Sequence, residues 1–198
     1  MTTTDTAHAS FDTARRAMID SQLRPSGVNE PWVLTAMAAT PREDYVPESA
    51  RAAAYIDRAL PLGQGRFLAP AVVQGRLLGE AAPTQADRVL VITGGTGYLT
   101  ALVSQLAPNV DAVDAADLSA IPGSGYSLII IDGAIEVLPD ALADKLAEGG
   151  RIATGLLEGG VTRIATGEKL AGKVVLVALS DLPVPVLPEF AAPKHWSF

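Results

Sequence analysis

RVLVITGGTGYLTALVSQLA, from Arg88 to Ala107, decides the fold. Val89 to Ile92 is a short apolar run rich in β-branched residues, which favours a strand. Gly94-Gly95-Thr96-Gly97 follows as a tight turn. Leu99, Leu102, Val103 and Leu106 then recur at helical spacing. Strand, glycine turn and helix together form the nucleotide-cradling unit of open α/β sheets. Its glycines let the backbone approach a ligand where the helix N–H groups and dipole point outward. Asp114 ends the next apolar stretch, where a carboxylate can hydrogen-bond ribose hydroxyls. The plain alternative is a tight strand-to-helix turn followed by an ordinary strand-end acid, because a lone glycine pattern is weak evidence.

Composition bounds the rest. A chain of 198 residues suits one domain with a substantial core, since 48% of its residues are hydrophobic. The net charge of −7 and the lack of a Lys/Arg run argue against nucleic-acid binding, which needs a basic face. The absence of cysteine excludes disulfides, thiol catalysis and cysteine metal sites. His8 and His195 sit near opposite ends, which disfavours a histidine triad or a metal cluster. No apolar run reaches the ~20 residues that span a bilayer, so no membrane association is expected. The opening MTTTDTAHASFDT is polar and unlike a signal peptide, which makes the cytoplasm the expected compartment.

Along the chain, residues 1–12 read as a disordered lead-in and 13–198 as a single domain. Within it, 13–82 form a helical cap and 83–198 an α/β core. Helical patterns cover Asp12 to Leu23, the segment capped by Asn29 with Pro31 in its first turn, Glu48 to Tyr55, and Val72 to Ala82. Leu60 to Pro70 reads as a loop. Strands are expected at Val89–Ile92, Val110–Val113, Leu128–Ile131 and Ile152–Gly155, all parallel. Asp132 and Gly133 should end the third of these, placing Asp132 at the sheet's carboxyl edge. Pro139 to Ala147 reads as a helix with Gly149 or Gly150 as its C-cap. Val161 to Thr166 and Val174 to Leu179 read as a late antiparallel hairpin on one edge.

The string MIDSQLRPSGVNEPWVLTAMAATPREDYVPESARAAAYIDRALPLGQG, Met18 to Gly65, resembles the protein-L-isoaspartate O-methyltransferases. It carries in order the Gln-Leu pair, Gly-Val, a Pro before a Val-Leu helix, Pro-Arg-Glu, Tyr-Val-Pro, Ala-Tyr and Leu-Pro-Leu-Gly-x-Gly. Weaker similarity extends to about Phe190. The resemblance implies an S-adenosylmethionine-dependent, Rossmann-like open sheet of seven strands ending in an antiparallel hairpin. It also implies methyl transfer to the free carboxylate of isoaspartyl residues in damaged proteins or peptides. That nucleophile is already ionised at neutral pH, so the reaction needs alignment more than a general base.

Three departures bear on activity. The family's Thr-Ile-Ser-Gln-Pro stretch is here Arg66-Phe67-Leu68-Ala69-Pro70, so Ala69 stands at the position of the active-site Ser. The family's Glu-Ile-Gly-x-Gly-x-Gly is here Val91-Ile92-Thr93-Gly94-Gly95-Thr96-Gly97. Only eleven residues, Ala115 to Gly125, join Asp114 to Tyr126, too few for the family's helix and third strand. Because that strand lies at an edge, its loss spares the core but removes much of the adenine wall.

The candidate site is therefore Gly94, Gly95, Gly97, Asp114 and Asp132 for the cofactor, with Arg66 and Ala69 at the catalytic loop and no metal. The alternative readings are Asp132 as a cap for the next turn and Arg66 as the partner of a neighbouring acid. Two other functional classes stand beside the methyltransferase. One is a catalytically silent relative that serves as a binding or scaffold module. The other is a nicotinamide-dependent oxidoreductase, disfavoured because Thr100 stands where a third Gly or Ala would be.

Overall fold

A computed structural model of the chain describes residues 3–193. His195 therefore lies outside the described residues. Helix α1 runs over Thr3–Met18 and takes in most of the stretch whose composition suggested a disordered lead-in. A π-helical turn, Ile19–Leu23, continues it. Helix α2, Pro31–Ala39, has Pro at its first position and Glu30 rather than Asn29 at its N-cap. Proline suits that position because its missing N–H would have no intrahelical acceptor. Glu48–Ala53 is a 3₁₀ turn rather than an α-helix.

Leu60 to Pro70 is not a simple loop. Strands β1 (Leu60–Gly63) and β2 (Arg66–Leu68) form a small antiparallel hairpin. Gly63, Gln64 and Gly65 all have positive φ, which closes its turn. The hairpin leads through Pro70 into helix α3, Ala71–Ala81.

Strand β3 (Arg88–Thr93), helix α4 (Tyr98–Ser104) and strand β4 (Asn109–Asp114) realise the central unit as expected. Strand β5, Tyr126–Ile135, runs past the expected stop at Asp132 and Gly133. These residues instead occupy an irregularity in its pairing with the next strand, between Ile130 and Ala134. Asp132 thus sits in a bulge at the sheet's rim, not after its last residue. Helix α5 is a single turn, Asp140–Ala143. Gly149 and Gly150 do not cap it, because strand β6 (Leu146–Glu158) already includes them. Strands β7 (Val161–Leu170) and β8 (Lys173–Asp181) form the late hairpin.

The main sheet has six strands in the order β4-β3-β5-β6-β7-β8. β4, β3, β5 and β6 are mutually parallel, while β7 and β8 are antiparallel to their neighbours. β4 lies at one edge and the hairpin at the other, so the short link 115–125 leaves the sheet's centre untouched. Alternate residues of β3 face two separate cores. Val89 and Val91 pack with α2, α3 and α4, whereas Leu90 and Ile92 pack with Ile121, Leu187 and Phe190. The second of these cores draws part of its cover from the segment after β8. That segment bonds back to β5: the Ala134 amide donates to the Pro185 carbonyl at 2.8 Å and the Leu187 amide donates to the Ala134 carbonyl at 2.8 Å.

Candidate active site

The carboxyl ends of β3, β4 and β5 bring Gly94–Gly97, Asp114 and Asp132 to one rim. Two glycines of the turn are required by its geometry. A Cβ on Gly94 would lie 2.1 Å from the Asp132 carbonyl oxygen, so only glycine lets the turn pass this close to the β5 bulge. Gly95 has a φ of +120°, a conformation that disfavours any side chain, and a Cβ there would lie 2.9 Å from Arg66 Cβ. Gly97 stands at the N-cap of α4, with the Tyr45 ring ordinary contact distance away.

Asp132 is buried, and that burial pushes its carboxyl up to about 6 despite hydrogen bonding by Gln74 and the nearby Arg42 charge. Gln74 Nε2 donates to both carboxylate oxygens at 3.2 and 3.3 Å. Gln74 Oε1 in turn accepts from Arg42 Nη1 at 2.6 Å. The buried Arg42 also donates to the Ala54 carbonyl at 2.8 Å and, through Nη2, to the Ala69 carbonyl. Ala69 is buried and offers only a methyl group and a backbone carbonyl engaged by Arg42. With the prolines aligned at Pro70, however, the family's serine falls opposite Leu68, also buried, and its glutamine opposite Ala69, which corrects the reading of Ala69 as the serine position. Burial lowers the Arg42 pKa from its ordinary value, against the pull of Tyr98 and Asp132.

Arg66 crosses the rim from the β1–β2 hairpin. Its Nη2 pairs with Asp114 at 3.0 Å and with Glu189 at 2.7 Å. Arg66 Nη1 is buried with no hydrogen-bond partner among the described residues. All seven candidate residues thus belong to one neighbourhood. From Asp114 it passes through Arg66 to Gly95, and from Gly94 through Asp132, Gln74 and Arg42 to Ala69.

Sequence reasoning missed four members of this neighbourhood. Gln74 was detectable as a lone amide among the apolar residues of α3, and Arg42 as the arginine of the Pro-Arg-Glu string. Leu187 and Glu189 gave no local signal, because only the return of the chain after β8 brings them to the rim. Leu187 is buried, and its Cδ2 lies 3.3 Å from where a Gly94 Cβ would be.

The donor expected from the sequence would take the space above Gly95 and the carboxylate of Asp114. Arg66 occupies the first and pairs with the second. Val91 is buried and apolar where the family pattern places an acid, while Ile92 keeps the family's isoleucine. In this arrangement Arg66 closes the rim; with that side chain turned away, the Gly94–Gly97 turn and Asp114 are the groups that would hold S-adenosylmethionine. Among the described residues no group of His, Cys, Asp and Glu could hold a metal ion. No helix among them is long and apolar enough to cross a membrane.

Residues 13–117 match the family model described as protein-L-isoaspartate(D-aspartate) O-methyltransferase. A protein-L-isoaspartate O-methyltransferase of Koribacter versatilis is 30% identical over 197 residues, covering 86% of this chain and 89% of its own. The Rhodopseudomonas palustris protein-L-isoaspartate O-methyltransferase 1 is 31% identical over 169 residues, covering 72% and 69%. Among solved structures, a Plasmodium falciparum protein of that description, in complex with S-adenosyl-L-homocysteine, superposes with a TM-score of 0.69. It shares 16% identity and covers 90% of this chain and 98% of its own. A second structure of a protein-L-isoaspartate O-methyltransferase gives a TM-score of 0.70 at 17% identity, with 89% and 67% covered. These structural matches show the Rossmann-like methyltransferase fold.

Proposed function

The chain belongs to the protein-L-isoaspartate O-methyltransferase family, and from that premise we propose that it is an S-adenosylmethionine-dependent protein carboxyl O-methyltransferase of reduced turnover. Its substrates are isoaspartyl residues in damaged proteins or peptides. The observation that carries this reading is the convergence of Gly94–Gly97, Asp114 and the β1–β2 hairpin at one carboxyl rim. Ligands of open α/β sheets gather at that rim. The ionised substrate carboxylate needs placement rather than proton removal, so the loss of the serine hydroxyl from the Arg66–Pro70 stretch slows the reaction without forbidding it. Loss of one hydrogen bond to an ionised group costs about 1.5–3 kcal/mol, a rate loss of roughly ten- to a hundredfold if the bond acts only in the transition state.

Methyl incorporation from labelled donor into an isoaspartyl peptide, run beside a family member that carries the serine, tests this. Slow but peptide-dependent incorporation supports the reading. A rate equal to that of the serine-bearing enzyme contradicts the reduced turnover, and none at saturating donor contradicts the activity itself. The Arg66–Asp114 pair favours a second reading, in which the rim holds no donor and the fold serves as a binding module. Under that reading the same assay gives no incorporation.

A further inference from the structure

We propose that residues 184–190, together with Arg66, are a built-in occupant of the donor crevice, so that their docking and the binding of an adenosyl donor exclude each other. The inference rests on the donor-dependent reading above for the identity of the displaced ligand. It stands on how closely the rim is shaped to this segment. A Cβ on Gly155 would lie 2.6 Å from Val184 Cγ1, and one on Gly133 would lie 2.4 Å from Leu187 Cγ. A Cβ on Gly95 would meet Arg66. Gly95 and Gly133 at the rim thus leave room that the chain's own side chains fill, and Gly155 within β6 leaves room for Val184 and for Ala134 of β5.

The segment is tied down by more than apolar contact. Leu187 and Phe190 are buried in one cluster with Ile92, Val113 and Ile121, so the segment and the short link 115–125 cover this face together. The amides of Glu136 and Val137 both donate to the Phe190 carbonyl at 3.1 Å. Glu189 then reaches Arg66, which also holds Asp114, the carboxylate best placed to receive a ribose. One segment therefore shares the cover of this face with the link, fills the space beside Gly94 and, through Arg66, helps hold Asp114.

The Arg66 end of the closure is its weakest part. Arg66 Nη1 has no hydrogen-bond partner among the described residues, and the carboxylate of Asp114 is half exposed, so salt screens its pairing. A donor whose site is open only part of the time binds with an affinity reduced by the open fraction. A tenfold preference for docking weakens apparent binding about tenfold.

Calorimetric titration with S-adenosylhomocysteine tests this on the full chain, on Glu189→Gln and on the double variant Arg66→Ala/Leu187→Ala, with thermal melts confirming that each is folded. The expected result is a dissociation constant at least threefold lower for Glu189→Gln and at least tenfold lower for the double variant than for the full chain. Equal micromolar binding by all three overturns the occlusion and leaves the donor-dependent reading standing. Tight binding by the variants without methyl transfer to an isoaspartyl peptide supports the occlusion and contradicts that reading. No binding by any folded chain overturns both.

Discussion

At the amino-terminal rim of the parallel sheet, Asp87 accepts hydrogen bonds from the Thr84 amide and hydroxyl, the Ser127 hydroxyl and two nitrogens of Arg151, all between 2.7 and 2.9 Å. Arg151 also donates to the carbonyls of Ala81 and Ala82, and Arg88 donates to those of Pro122 and Ser124. At the opposite rim, Asp132 is buried with Gln74 alone bonded to its carboxylate, and Arg66 keeps one nitrogen without a partner among the described residues. The same sheet therefore carries two buried aspartates in contrasting states. Arg151 holds the Asp87 carboxyl well below the usual carboxylate range, while burial pushes that of Asp132 up to about 6. A saturated network fastens the fold, and an incompletely satisfied one marks where the fold was shaped for a ligand.

The sharpest way to break this contrast is to remove its stabilising half. Asp87→Ala is expected to cost about 3 kcal/mol, because it leaves Arg151 without its carboxylate partner. The melting temperature should fall by roughly 6–12 °C for a chain of this size. Because the folded carboxyl titrates below its unfolded value, this stabilisation is present above about pH 4 and fades as pH falls. An unchanged melting curve would show that the amino rim is ornamental. Leu187→Ala should cost about 2–3 kcal/mol through the cavity it leaves beside Gly133. Chemical denaturation measures this, and a cost below about 1 kcal/mol would mean the segment is only loosely seated.

The sign reverses at Asp132. A folded-state value above the unfolded one favours the protonated acid, so this aspartate costs most stability above about pH 6 and nothing below about pH 4. Asp132→Asn keeps an acceptor for Gln74 and removes the buried charge. We expect it to raise stability by about 1–2 kcal/mol at pH 7.5 and leave it unchanged at pH 3.5. A loss at pH 7.5 would mean that Arg42 needs the charge more than burial opposes it. Smallest of all, Asp114→Ala should shift stability by less than about 0.5 kcal/mol, since its pairing with Arg66 is solvent-screened. A larger loss in a melt would make the Arg66 pair structural rather than part of the rim.

The two rims also differ in how far the sequence announces them. The strand, glycine turn and helix from Arg88 to Ala107 are local, so periodicity places them, and the eleven-residue link from Ala115 forces β4 to the edge. Gly94 and Asp114 follow from strand ends, and Asp132 from the end of the continuous apolar run Tyr126–Ile131. The hairpin at Leu60–Leu68 escaped because its strands are short and its turn residue Gln64 has no special propensity for positive φ. The continuation of β5 past Asp132 escaped because a bulge leaves no periodic trace. The roles of Glu189 and Leu187 depend on a chain return of more than fifty residues from Asp132, which no local pattern records.

Hydrogen exchange at the amides of Ala134, Glu136 and Val137, with and without saturating S-adenosylhomocysteine, most directly tests the claim that this chain occupies its own donor crevice. All three donate to carbonyls of the docked segment, at Pro185 and Phe190. The account predicts that ligand speeds their exchange as the segment leaves, while the amides of the Asp87 rim keep their protection. Ligand saturation with those three amides still protected would contradict it.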